Sequence, residues 1–597
     1  MDTMRTEARY LVDEKDTAFD DVFTHAASDP DHVAVSRAVD GTWVPVTNRE
    51  LADEVEALAA GLLEAGVERG ERVALMSRTR YEWLLADVAI LSVGAVTVPI
   101  YETSSASQID WILSDSGAVA AFVENDDLKS KVEALRDGLP ELRAVWTLTE
   151  DRQRLIEDGL SVGSGPTAER RATVRSAELA TIVYTSGTTG RPKGCMLTHA
   201  NLVGTVRNVS RADGVHEQVF NEDQSTLLFL PLAHVLARVI QSSALHAQVR
   251  LGHLPDMRKV PAGLQSFRPT VVLSVPRVFE KIYNTAQRTA THGVKKQVFS
   301  AAAATSASYS EALETASGPG LVLKTQHRLY DALVYGKLRH AMGGQVRWAV
   351  SGGAPLGANL GHFFRGVGVN VLEGYGLTES TAGGTLNLPS AQRVGSVGRP
   401  IPGCEIRIAG DGEILMRGVH VFAGYWNNEA ATADVLDSEG WLHTGDIGRI
   451  DDDGFVFITD RKKDLIVTSA GKNVAPTVLE DRLRSHWLVS QAAVFGDQQP
   501  YIAALLTVDP EALEAWQQEK GKPGQLEHLM SDVELLDELQ HAVDLANEIV
   551  SQAEAIKRWS VLPHDFAEST GELTPTLKMK RDVIAKEFAA EVEALFS

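Results

Sequence analysis

Between residues 72 and 148, short apolar runs alternate with helical patterns: 72–76, 96–100, 119–123 and 144–148 read as strands. Strands separated by helices in this way imply parallel sheets with helices covering their faces. No other feature narrows the choice of fold as much. At 597 residues the chain exceeds what a single core fills, so two or more domains are expected.

Around this alternation the local signals are specific. Residues 32–46 alternate in polarity and turn at Asp40-Gly41, a hairpin. Thr47 and Glu50 form a capping box for a helix carrying Leu51, Val55, Leu58 and Leu62 on one face, closed by Gly66. Residues near 158–175 read as a loop. A strand at 346–350, a turn at 351–355, a helix at 356–367 and a strand at 369–372 form a compact βαβ unit. From 395 to 458 short strands and Gly-containing turns suggest a small β-barrel-like subdomain. The charged run 460–464 precedes fresh α+β patterning, and the domain boundary is expected there.

The stretch 180–194, ATIVYTSGTTGRPKG, carries chemistry. A strand ends near Tyr184, a hydroxyl- and glycine-rich loop follows, and Lys193 lies beyond it. Glycines let backbone N–H groups approach an anion, hydroxyls donate to phosphate oxygens, and the lysine adds a point charge. It is a phosphate loop without the Gly-Lys-Ser/Thr triplet of the Walker type. Thr198 caps the helix that follows. The turns at 351–355 and 373–379 also fall at strand carboxyl ends, where open α/β sheets bind ligands.

The totals exclude other classes. A net charge of −23 argues against a nucleic-acid binder, and two cysteines, Cys195 and Cys404, suit a reducing cytoplasm. Cys195 reads as a packing residue. Residues 1–16 lack an apolar core, so no signal peptide is expected. The apolar stretch 84–100 is broken by Asp87 and Gly94 and reads as a helix followed by a core strand. Residues 321–340 carry Arg328, Lys337 and Arg339 among leucines and tyrosines. The pattern fits peripheral contact with the inner face of a membrane, but favours a solvated helix flanking the sheet.

YTSGTTGRPKG resembles the phosphate-loop signature of the adenylate-forming enzyme superfamily. Segments 230–234, 351–356, 373–379, 441–446 (WLHTGD), 460–476 and 573–581 match that superfamily in order, so the resemblance covers nearly the whole chain. Within it, 230–240, VPRVFEKIY at 275–283, and 184–199 look most like long-chain fatty acyl-CoA synthetases. The implied architecture is α/β. A large N-terminal domain, 1–459, holds parallel-sheet α/β subdomains and the β-barrel-like one. A hinge at 460–463 then leads to a smaller, mobile α+β C-terminal domain, 464–597.

The resemblance implies ATP, Mg²⁺ and coenzyme A as cofactors, with a fatty acid as substrate and no nucleic acid. Thr185, Ser186, Gly187, Thr188, Thr189 and Lys193 would cradle phosphates. Gly352, Gly353 and Ala354 would wall the adenine against Tyr375, which lies in the Glu373-Gly374-Tyr375-Gly376 turn. Asp446 and Arg461 would hold the ribose, Thr378 the α-phosphate, and Glu379 the metal, a hard cation that takes oxygen ligands. His234 would border the acyl pocket, although a core histidine fits as well. Lys578 resembles the lysine bridging carboxylate and α-phosphate, with Lys580 as the alternative. Lys463 matches the pivot, and Gly471 and Lys472 lie in the loop of the coenzyme A step. A ligase passing the adenylate to a carrier protein and a non-catalytic nucleotide- and lipid-binding regulator are the rival readings.

Overall fold

In the computed structural model, which describes residues 2–185, 191–289, 294–469, 472–574 and 579–597 (the side chains of 288, 289, 294 and 473 excepted), the alternating segments build two mixed sheets. In the first, Leu179–Thr185, Val96–Ile100, Arg72–Met76, Ala118–Val123 and Ala144–Thr147 lie parallel in that order. Lys193–Thr198 and Gly424–Tyr425 extend one edge antiparallel. In the second, Asn370–Tyr375, Trp348–Ser351, Val271–Ser274, Ser225–Leu228, Arg250–His253 and Val33–Val39 are parallel, with antiparallel strands at both ends.

Local chemistry explains the elements that position these sheets. Asp40 and Gly41 both have positive φ, 46° and 80°, which a two-residue hairpin turn requires. Thr47 accepts from the Glu50 N–H, and Glu50 accepts from the Thr47 N–H, at the start of helix Asn48–Glu64. Every residue of helix Tyr81–Ser92 is buried, and its Asp87 is answered by the Arg238 guanidinium at 2.6 and 2.9 Å. A charge inside a core needs such a partner, since removing either one leaves the other unpaired. Among the described residues no helix is long and apolar enough to cross a membrane.

The loop expected near 158–175 is instead helical, in Glu150–Val162 and Gly165–Arg171. Gly159 there is a packing glycine. A Cβ on Gly159 would stand 1.9 Å from the Ala57 carbonyl oxygen, and one on Gly61 would stand 2.0 Å from that of Leu155. Helices Asn48–Glu64 and Glu150–Val162 cross so closely that neither position accepts a side chain.

The β-rich subdomain is a five-stranded antiparallel sheet: Thr3–Arg5, Cys404–Ile408, Glu413–Gly418, Leu442–Ile450 and Val456–Arg461. Beyond it, Val489–Phe495, Ile502–Val508 and Ile556–Val561 form a separate sheet flanked by helices. The buried clusters divide in the same place. Those of the first part end at Val456, and those of the second begin at Ile466.

Candidate active site

A cavity of about 1730 Å³ opens at the carboxyl ends of Leu179–Thr185, Trp348–Ser351 and Asn370–Tyr375, and residues 579–583 of the second part face it. Three strand ends from two sheets and a second domain thus border one space, the usual place for a ligand in an α/β fold.

One corner is held by Tyr375 and Asp446. The Tyr375 hydroxyl donates to Asp446 Oδ2 at 2.5 Å, and Arg461 Nε stands 3.2 Å from Asp446 Oδ1. Asp446 and Arg461 are register partners on neighbouring strands, so the ladder itself delivers the ion pair. Burial, and then the Asp446 charge, push the Tyr375 phenol well up. Gly352, Gly353, Ala354, Gly374 and Gly376 border the same corner. A Cβ on Gly376 would lie 2.4 Å from the backbone of Ala382, so this glycine serves the packing of its own turn rather than only the approach of a ligand.

Lys193 and Glu379 meet at Tyr425. The Lys193 ammonium lies 5.0 Å from the Tyr425 ring centroid, and the Tyr425 hydroxyl donates to Glu379 Oε1 at 2.7 Å. Glu379 sits in the short turn Thr378–Ser380, and its carbonyl accepts from the Phe422 N–H at 2.8 Å. Thr185 ends its strand at the same wall, 4.0 Å from the Cys195 sulfur. Cys195 is fully buried, and burial together with Glu379 pushes its thiol up, which suits a packing residue and not a nucleophile. Ser186, Gly187, Thr188 and Thr189 lie outside the described residues.

The donor set fits Mg²⁺. That ion typically takes one or two carboxylates and completes its shell with phosphate oxygens and water. Glu379 supplies one carboxylate, and no cluster of three or more metal-binding side chains occurs among the described residues.

An apolar branch of the cavity runs among helices His199–Ser210, Val215–Gln218 and Val235–His246, bordered by Val209, Val219, Phe220, Val239 and Ile240. His234 also borders the cavity and caps the last helix, its Nδ1 accepting from the Leu236 N–H at 3.2 Å. The histidine is therefore a half-buried helix cap that borders the cavity, not a core residue. Glu373 is buried, and its Oε1 accepts from the Leu356 N–H at 3.0 Å. Burial pushes its carboxyl up to about 7, against the pull of that N–H.

Lys463, between the two domains, and Lys580 of the second border the cavity. Burial, then Arg461, lowers the Lys463 ammonium. Lys580 precedes helix Arg581–Glu587, and its N–H donates to the Glu572 carbonyl at 2.7 Å. Lys472 is turned elsewhere, 3.3 Å from Glu554, and does not border the cavity. Gly471 and Lys578 lie outside the described residues.

Sequence reasoning missed Tyr425, which joins Lys193 to Glu379, and the seam of Arg277, Asp481, Arg484 and Arg581 between the domains. Tyr425 follows Gly424 in a two-residue strand, too short to show any period. The repeated pairing of Arg and Lys with acids in 460–484 was the available signal for the seam.

The sequence profile described as AMP-binding enzyme matches residues 22–426, and that described as AMP-binding enzyme C-terminal domain matches 463–597. The chain is 49% identical over 596 residues to the long-chain-fatty-acid–CoA ligase FadD15 of Mycobacterium tuberculosis, covering 99% of this chain and 98% of that protein. It is 30% identical to the Xenopus laevis long-chain-fatty-acid–CoA ligase ACSBG2, over 95% of this chain and 82% of the relative. Among solved structures, the anthranilate CoA ligase AuaEII in complex with anthranoyl-AMP superposes with a TM-score of 0.73 at 19% identity, covering 96% and 98% of the two chains. A Mycobacterium tuberculosis fatty acyl CoA synthetase gives 0.63 at 22%, covering 97% and 100%. At those identities the likeness speaks for the fold alone.

Proposed function

Because the chain belongs to the AMP-binding, adenylate-forming enzyme family, we propose that it is a long-chain fatty acyl-CoA synthetase. A fatty carboxylate oxygen attacks the α-phosphorus of ATP. The bond to the bridging oxygen breaks, and pyrophosphate leaves. The sulfur of coenzyme A then attacks the acyl carbon, its proton passes to solvent, and AMP leaves with the carbon–oxygen bond pair. The adenylate is needed because a carboxylate oxygen is a poor leaving group.

The residues divide this work. Asp446 accepts from the ribose hydroxyls, with Arg461 donating beside it, and Tyr375 offers adenine its face while its hydroxyl fixes Asp446. Gly352, Gly353 and Ala354 form the opposite wall. Thr185, the loop 186–189 and Lys193 cradle phosphates, and Thr378 donates to the α-phosphate. Glu379 would hold Mg²⁺, which when bound would supply positive charge to the phosphates. His234 opens the acyl branch, whose apolar walls fit an alkyl chain. Lys578, or Lys580, places a cation where charge develops as one anion attacks another.

The observation that carries this reading is one cavity joining the Tyr375–Asp446–Arg461 corner to an apolar branch, with Lys193 and Glu379 at its wall. Pyrophosphate release measured over a panel of carboxylates, with and without coenzyme A, tests it.

We place the hinge at 460–463 with Lys463 as pivot. Lys580 borders the cavity while Lys472 faces Glu554, an arrangement that suits an adenylating pose. A rotated pose would bring the 468–472 loop in for the coenzyme A step.

We also propose peripheral docking to an anionic bilayer through helix Leu321–Tyr330 and the π-helical turn Asp331–Tyr335. Leu321, Val322, Leu329 and Leu333 are exposed there, and Val322, Leu329 and Leu333 recur at helical spacing. Residues 320–341 set Lys324, Arg328, Lys337 and Arg339 against Asp331 alone, in a chain whose net charge is −23. Of these, Arg339 is engaged internally by Val367 and Asp331, leaving Lys324, Arg328 and Lys337 exposed for headgroups.

A further inference from the structure

Helix Pro276–Thr289 lies in the first domain, yet two of its cations, one turn apart, reach the second. Arg277 Nη2 donates to Ser490 Oγ at 2.8 Å, and Lys281 Nζ lies 3.5 Å from Glu511. The helix is anchored from behind. Phe279 is buried against Phe364 at 5.3 Å between centroids, and Tyr283 packs edge-on to Phe363 at 4.8 Å. Its own Glu280 receives Arg277 Nη1 at 3.1 Å, which fixes the guanidinium on the helix surface.

On the far side the receiver is equally fixed. Ser490 is fully buried at the start of strand Val489–Phe495, and its single proton goes to Asp565 Oδ2 at 2.5 Å. Asp565 Oδ1 accepts from the Thr507 hydroxyl at 2.6 Å and the Phe566 N–H at 2.9 Å. The hydroxyl therefore has only its lone pairs to offer Arg277. The bonds form a one-way chain from a cation through Ser490 to a carboxylate, charge-assisted at both ends.

We propose that Arg277 is a positioning residue that latches the second domain in the adenylating pose through Ser490. This rests on the two-pose reading above. Ser490 travels with its strand, so any rotation about 460–463 that brings Lys472 to the cavity must break the Arg277–Ser490 bond. The exposed Lys281–Glu511 pair adds little by itself, because solvent screens it. The latch thus favours one half-reaction over the other without touching the reacting atoms.

The test uses the full chain with Arg277→Met, Arg277→Lys and Ser490→Ala. One readout is independent of activity. Spin labels on Leu160→Cys and Val533→Cys, both exposed and on different domains, report the interdomain distance, and the two natural cysteines are buried. The latch predicts a dominant distance in the parent and a second, longer- or shorter-distance population in Arg277→Met and Ser490→Ala, with Arg277→Lys between them. Single-turnover adenylation should fall about tenfold in Arg277→Met, as expected for one charge-assisted bond. Coenzyme A acylation from supplied acyl-adenylate should be unchanged or faster. The double variant should be no worse than either single one. Distance distributions identical to the parent in both variants overturn the latch, whatever the enzyme's substrate proves to be. Equal losses in both half-reactions overturn it as well, as does a loss confined to the KM for the fatty acid, which would make Arg277 a substrate contact. A parent inactive with every carboxylate tested would count against the synthetase reading instead, and the distances would still decide the latch.

Discussion

The Tyr375 hydroxyl and Asp446 Oδ2 are 2.5 Å apart, both side chains buried, with Arg461 on the other carboxylate oxygen. The carboxylate that we assign to the ribose is thus clamped from two sides before any nucleotide arrives. Preorganisation of this kind lowers the cost of ordering the site on binding.

Removing the clamp and removing the carboxylate should differ. Asp446→Ala should raise the KM for ATP by roughly 10- to 100-fold, from about 1.5–3 kcal/mol per bond to a charged group. Tyr375→Phe keeps the ring face and should cost about tenfold at most, since only the orienting bond is lost. Isotopic exchange between pyrophosphate and ATP at varied ATP concentration measures both. Unchanged ATP dependence in folded Asp446→Ala would reject the ribose assignment.

The lysines of the second domain should separate the half-reactions. Loss of the bridging lysine should slow adenylation by roughly 10²–10³, the usual cost of one electrostatic stabiliser. Acylation of coenzyme A from supplied acyl-adenylate should be spared. Lys578→Ala and Lys580→Ala, assayed for each half-reaction, identify which lysine it is. Lys463→Pro, which fixes φ at the pivot, should spare adenylation and abolish the second step if the present pose is the one trapped. Equal losses in both halves for both lysine variants would contradict the division.

Glu373 gives stability a pH dependence whose sign can be stated. Its carboxyl is pushed by burial from 4.5 up to about 7, so the folded state prefers it protonated. Its contribution to stability is full below the unfolded value and is lost as pH rises from about 4.5 to about 7. Glu373→Gln, neutral and of similar shape, should therefore gain melting temperature relative to the parent on going from pH 5 to pH 8. A difference between the two that is constant across that range would show that Glu373 does not titrate there.

The exposed patch should bind anionic vesicles. Charge reversal at Arg328 and Lys337, or Leu329→Ser with Leu333→Ser, should reduce co-sedimentation with phosphatidylglycerol vesicles by several-fold, with ATP-dependent activity on dispersed substrate intact. Arg339 is a poor test because it also ties the helix to Val367. Binding by the parent that is indifferent to all four changes would remove the patch from consideration.

What was legible in the sequence was mostly local. The Asp40-Gly41 turn, the Thr47–Glu50 box and the Thr198 cap are each set by residues within a few positions, and each stands in the fold as read. The rim of the site was legible for a related reason, since turns at strand ends are marked by glycine and hydroxyl residues where the period breaks. Gly159 was misread because its reason lies about a hundred residues away, in the backbone of Ala57. Tyr425 leaves no sequence signal because its partners come from distant segments: Lys193 through the pairing of Gly424–Tyr425 with Lys193–Thr198, and Glu379 from the turn Thr378–Ser380, whose carbonyl accepts from the Phe422 N–H. Contacts made by sheet topology leave no period in either segment.

The central claim is that one cavity couples ATP cleavage between the α- and β-phosphates to a fatty carboxylate. The direct measurement follows products from ATP labelled at both α and γ positions, with a long-chain fatty acid, Mg²⁺, and coenzyme A added or withheld. The account predicts acid-dependent, chelator-sensitive formation of AMP-level product and pyrophosphate, enzyme-bound acyl-adenylate when coenzyme A is withheld, and acyl-CoA with free AMP once it is added. Formation of ADP and phosphate, or pyrophosphate release indifferent to the fatty acid, would contradict it.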